Sequence, residues 1–370
     1  MNRWPLHVRL WSAGLIVFAG LAMVWGLRRE GRESADPVMP PPRPEVAVQP
    51  PPPDLRTLGF PTHQTRLADT NLLGVFQPTA SGAPESGTYG TVRMGQVGNQ
   101  LLPRFHEGID IAALDRDRAG RPLDDVFAAL HGTVAFVNRV AGNSDYGRYV
   151  VLTHHDPAGP FYTLYGHLAD VDPALREGDV LNAGARLGRM GNSAIEPIPM
   201  ARAHLHFEIG MIYNQHFLSW PGRARRQTPG GLYNGQNLAG LNPILVFRDR
   251  AATDDLTLLD HLGRLPPAFE IVVSARRLPD FFARHPALWQ GDAYQGPALV
   301  LTVAEGGAPL KGRTANETDL RRLGRQRACV LFADPAVLGR NGRRLVVNRQ
   351  GVWTLGSNGE TWLDLLLHHP

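Results

Sequence analysis

The sequence predicts a mainly β fold: a compact antiparallel β-sheet domain over residues 87–247, behind an N-terminal transmembrane helix and ahead of an α+β extension. Three observations lead there. From Tyr89 to Phe247, short runs of β-branched and aromatic residues, such as Gly132–Val137 (GTVAFV) and Arg148–Thr153 (RYVVLT), alternate with glycine-rich turns and show no helical periodicity. Residues 10–27 are uncharged and apolar, and after Asn242-Pro243 helical and strand-like segments mix.

At 370 residues the chain has room for two globular domains plus extras. With 43% hydrophobic and 19% charged residues it can bury a sizeable core. Its 38 Lys and Arg against 34 Asp and Glu leave a formal charge of only +4, so no nucleic-acid partner is expected. The lone Cys329, read as a buried strand residue, excludes internal disulfides and thiolate metal sites. Any metal must be held by histidines and carboxylates.

Residues 1–30 read as a membrane anchor or signal segment. Leu10–Leu27 (LWSAGLIVFAGLAMVWGL) is apolar on every face, and at about 1.5 Å per residue its 18 residues approach the thickness of a bilayer core. It is longer than the usual apolar part of a cleaved signal, which favours an uncleaved membrane anchor. Arg3 and Arg9 before it and Arg28, Arg29 and Arg32 after it do not orient it. Residues 31–55 form a linker, because nine prolines among the 17 residues Pro37–Pro53 hold an extended, semi-rigid chain. Residues 56–86 form a pre-catalytic segment that has the position to fold over a groove as an inhibitor.

Within residues 87–247 three histidine patches stand out: Phe105–Asp110 (FHEGID), Tyr165–Leu168 (YGHL) and Ala203–Glu208 (AHLHFE). Strand residues two apart face the same side, so His204 and His206 look into one cleft, and one can bind metal while the other stays free for proton transfer. His106 and Asp110 would be roughly 13 Å apart on a regular strand, too far for one ion, so the backbone must turn between them, and Gly108 permits the turn. Two histidines and one aspartate leave a fourth position open for water, the arrangement of a catalytic zinc.

These patches, in this order, resemble the hallmarks of the lysostaphin/LytM family of zinc peptidoglycan endopeptidases. Asp125–Val134, Asp145–His154 and Leu175–Gly188 fit the same resemblance, which spans Tyr89 to Ile209. It implies a groove on a compact antiparallel sheet and one Zn²⁺ per chain bound by His106, Asp110 and His206. It implies His167 and His204 as the unligated catalytic histidines, base and oxyanion stabiliser in an order left open. Peptidoglycan peptides would be the partner and the extracytoplasmic side of the bacterial envelope the location.

Two loops depart from the family pattern, the charged Ala112–Asp124 and the proline-containing Gly191–Ala203, and both are expected to border the groove. His154 and His155 read as strand residues, and Glu107 and Glu208 as hydrogen-bonding support for the ligands. Alternative functions are a catalytically silent wall-binding activator of amidases, which would have lost ligands, and a zinc peptidase acting on proteins. Residues 248–370 read as an α+β extension with a helix near Leu256–Leu265, a strand at Phe269–Val273 and a short helix at Asp280–Arg284. Between Leu310 and Gly351, ten Lys and Arg against three acids suggest a grip on an anionic polymer or a membrane surface.

Overall fold

The computed structural model describes residues 55–196, 198–223 and 230–370. The expected anchor and linker lie outside these residues; among the described ones no helix is long and apolar enough to cross a membrane.

Strands β1 (Gly90–Val97) and β2 (Gln100–His106) form a two-stranded antiparallel hairpin. The main sheet has seven strands, built from β3 (Ile109–Ala112), β5 (Gly132–Asn138), β6 (Arg148–Asp156), β7 (Gly159–Leu168), β9 (Val180–Leu181), β11 (His204–Ile212) and β12 (Leu238–Leu241), in the order β12-β11-β7-β6-β5-β9 with β3 also on β11. All its pairings are antiparallel. A second, three-stranded sheet joins β4 (Asp125–Phe127), β8 (Asp170–Val171) and β10 (Arg186–Arg189).

Strand β11 carries the logic of the site. Leu205, Phe207, Ile209 and Met211 are fully buried in the core, so the pleat turns His204, His206 and Glu208 to the opposite face. Its register sets Asp110 of β3 directly opposite His206 on one side and Gly166 of β7 opposite it on the other. One strand thus fixes both neighbours of His206.

Asn242 caps helix α1 (Pro243–Ala252) by accepting from Ile244 N, with Pro243 in the first turn. Helix α2 (Leu258–Arg264) begins with a Thr257–Asp260 capping box. A five-stranded sheet follows, made of β13 (Phe269–Ser274), β14 (Trp289–Gln290), β15 (Ala298–Val303), β16 (Pro309–Thr314) and β17 (Ala328–Ala333). The short helix α3 (Asp280–Arg284) lies between β13 and β14, and the strands β18 (Val346–Arg349) and β19 (Val352–Leu355) lead to the C-terminal α-helix Ser357–Leu366. Cys329 lies in β17, at the edge of the five-stranded sheet, and is only half-buried rather than buried.

The C-terminal elements share a core with the seven-stranded sheet: Phe281, Phe282 and Trp362 belong to the same buried cluster as Phe207, Tyr213 and Phe217. The buried Asn214 donates to the carbonyls of Leu365 (2.9 Å) and His368 (2.7 Å). Residues 55–87 contribute to this core too, through Leu55, Leu67, Val75 and Phe76. Four of the ten basic residues after Leu310 form ion pairs: Arg313 with Asp319, Arg321 with Glu317, Arg327 with Glu360 and Asp364, and Arg343 with Glu107.

Candidate metal centre

His106 ends β2 and Asp110 lies in β3, so the chain bends between them at Glu107 and Gly108. His106 Nε2 thereby comes to 3.2 Å from Asp110 Oδ1. The φ of Gly108 is not in the left-handed region; it is glycine for want of space, because a Cβ would press on the Phe207 carbonyl and on Glu208 Cγ at 2.8 Å. The conformational freedom expected of Gly108 is therefore less important than its close approach to β11.

One ligand atom from each of His106, Asp110 and His206 lies within 4.8 Å of the others, and all three residues are buried. The second nitrogen of each histidine is engaged elsewhere. His106 Nδ1 donates to the Thr88 carbonyl at 2.8 Å, which leaves Nε2 facing the centre. His206 Nε2 donates to Glu208 Oε1 at 2.8 Å, which turns Nδ1 inward, 3.1 Å from His106 Nε2 and 3.0 Å from Asp110 Oδ1. Such outward hydrogen bonds fix the ring orientation of metal-binding histidines. The donor set of two imidazoles and one carboxylate suits zinc.

The electrostatics favour a cation here. Burial pushes the Asp110 carboxyl up, but His106, His204 and Arg93 together pull it well below the usual carboxylate range. Burial alone would favour neutral His206, yet its bonds to Asp110 and Glu208 raise it to about 9. Burial holds His106 low. The Arg93 guanidinium is paired with Asp110 and donates to His106 Nε2 at 2.8 Å.

His167 and His204 stand beside the set. Their rings are 4.8 Å apart, and His204 Nε2 lies 3.3 Å from Asp110 Oδ1. His204 Nδ1 donates to the Arg202 carbonyl (2.7 Å) and His167 Nδ1 to the Ser193 carbonyl (2.8 Å), so each has its Nε2 free of a backbone partner. His167 has a left-handed backbone, φ 61°, a conformation rare outside glycine that is held by its N–H bond to the Tyr146 carbonyl at 2.7 Å. Burial and then its neighbours His204 and His206 keep its imidazole well below the ordinary value.

A groove of about 720 Å³ runs over these residues. Ala194, Ile198 and Arg202 from the Gly191–Ala203 loop line it. The Ala112–Asp124 loop does not. Its Arg116 instead holds the other loop by bonds to the carbonyls of Met200 (3.0 Å) and Ala203 (2.8 Å). His154 is buried away from the site, between the His131 carbonyl and Thr163 Oγ1. Arg93, Tyr146 and Tyr162, which approach the centre from the hairpin, a loop and β7, carry no spacing signal that would reveal them in the sequence.

Residues 104–217 match the model of Peptidase family M23. A comparison with curated proteins finds no match. Among solved structures, the chain is similar to a zinc-containing peptidase from Vibrio cholerae, at 20% identity and TM-score 0.25 over 36% of this chain and 35% of that one. It therefore spans about a third of the length of that relative. The catalytic domain of lysostaphin from Staphylococcus simulans gives 19% identity and TM-score 0.27 over 44% of this chain and 89% of that one. A Ruminococcus gnavus protein that bears the name of a LytM glycyl-glycine endopeptidase gives 23% identity and TM-score 0.26, over 40% and 48%.

Proposed function

We propose, from the premise that residues 104–217 are a lysostaphin/LytM-type domain of peptidase family M23, that this chain is a zinc-dependent endopeptidase acting on peptidoglycan stem peptides or cross-links. The observation that carries the reading is the convergence of His106 Nε2, Asp110 and His206 Nδ1 with the far nitrogen of each histidine already bonded. A silent wall-binding activator would have no need of that second layer of hydrogen bonds.

Zinc bound there would polarise the scissile carbonyl and lower the pKa of a coordinated water towards neutrality. The chain's own part is proton handling and support. His167 and His204, presenting Nε2 to the groove, take up the proton of the attacking water and support the charge that develops on the carbonyl oxygen. Their carbonyl partners Ser193 and Arg202 hold the rings in one tautomer. Glu208 keeps His206 turned inward.

The apolar stretch Leu10–Leu27 and the proline-rich linker support a membrane-tethered enzyme on the extracytoplasmic side of the bacterial envelope. The test is digestion of purified sacculi by zinc-loaded protein starting near residue 50, with His206→Ala as control and soluble fragments identified by mass. Stem-peptide fragments from the wild type alone are expected. Sacculus binding without release would favour the activator, and cleavage of proteins but not sacculi a protein peptidase.

A further inference from the structure

Of the three arginines that line the groove among the described residues, one is paired and two are not. Arg93 and Arg104 are directly opposite partners in the β1–β2 register, and both line the groove together with Arg202. Like charges directly opposite in a hairpin destabilise it unless an anion lies between or beside them. Asp110 answers Arg93, whose Nε also donates to the Ser86 carbonyl at 3.1 Å. Among the described residues, nothing answers the side chains of Arg104 or Arg202 with a hydrogen bond or an ion pair.

The groove's carboxylates cannot supply the missing charge. Glu107 is tied to Arg343, Asp110 to the histidine set and Arg93, and Glu208 to His206 and Tyr162, which leaves only the exposed Asp145. Arg104 is two residues from His106 on β2 and so shares a face with it. Its stem lies across Gly95 of the paired strand, where any side chain would displace it. Arg202 is two residues from His204, whose ring bonds to its carbonyl. Each unanswered guanidinium is thus mounted beside one of the reacting histidine patches, on a separate element.

We infer that the groove is built for peptides carrying free carboxylates, which Arg104 and Arg202 hold on the approaches to the metal centre. The planar fork of each guanidinium matches a carboxylate with two parallel bonds. This rests on the peptidase reading and narrows its substrate from peptides in general to acidic ones, as against neutral polyglycine-like bridges.

The experiment uses the zinc-loaded chain and two fluorescein-labelled pentapeptides, one with two glutamates and a free C-terminus, the other with glutamines and a C-terminal amide. Binding is followed by anisotropy and cleavage by mass. The wild type should bind the acidic peptide at least about tenfold tighter, and Arg104→Gln and Arg202→Gln should each lose about tenfold for it while leaving the amide unchanged. Equal affinity of the wild type for both peptides, or variants that weaken both alike, would overturn the inference. If neither peptide is cut while the discrimination persists, the peptidase reading suffers and the carboxylate site stands; if both are cut and bound equally, the reverse holds.

Discussion

Glu208 Oε1 accepts from His206 Nε2 at 2.8 Å, two residues along the same strand, while its other oxygen accepts from the Tyr162 hydroxyl at 2.7 Å. The carboxylate is completely buried and exists to aim a ring. Glu208→Gln should lower zinc affinity by about 10- to 100-fold, the usual cost of losing such an outer partner. Competition with a chromogenic chelator measures it, and unchanged affinity would remove Glu208 from the centre.

Gly108→Ala should cost about 1–3 kcal/mol of stability, since an added methyl meets backbone and Glu208 on β11. Because the same contact holds β3 against His206, zinc affinity should fall with it. Denaturant midpoints and chelator competition read the two effects; a variant as stable and as tightly metallated as wild type would refute the account.

Residues 55–86 line up as support. Gln77 N donates to the Asp110 carbonyl at 2.8 Å and Ala112 N to the Val75 carbonyl at 2.9 Å, bracketing the proposed ligand Asp110. A chain starting at Gly87 should therefore melt earlier and cleave more slowly than one starting near residue 50. Faster cleavage by the shorter chain would instead mark this segment as an inhibitor, since Thr79, Ala80 and Ser81 do line the groove.

Stability should fall in mild acid. Burial, against its bond to the His131 carbonyl, brings His154 down to about 4, and burial with the neighbouring Arg284 brings His285 down to about 4. The unfolded chain protonates both near 6.5, so it binds protons that the folded chain refuses. Their contribution is complete above about pH 6.5 and is lost as pH falls towards 4, by roughly 1.4 kcal/mol per unit for each histidine. Urea titrations between pH 7 and 4.5 would show it, and the slope should be shallower for His154→Gln.

Local pattern made much of this readable in advance. The alternation in AHLHFE is a strand period, so the shared face of His204 and His206 follows from pleating alone, and the apolar pattern of Leu256–Leu265 points to helix α2. What stayed hidden depends on long-range register. Arg93 meets Asp110 only because a hairpin folds back, Thr88 meets His106 only through its carbonyl, and Arg343 reaches Glu107 across 236 positions. The Ala112–Asp124 loop was misplaced for a similar reason: its charge suggested a groove wall, whereas Arg116 spends that charge on carbonyls of the neighbouring loop.

Arg343 lies over the Phe105 ring, 5.7 Å from its centroid, and pairs with Glu107, so it embraces His106 from both sides in sequence. Gly342 N adds a bond to Thr91 Oγ1 at 3.0 Å. A graft of residues 87–247 onto a foreign tail would carry every proposed ligand, yet would leave Glu107 without its cation and Phe105 uncovered. Residues 248–370 therefore belong to the unit that holds His106 in place, and a domain swap should cut the chain ahead of residue 55 rather than after residue 247.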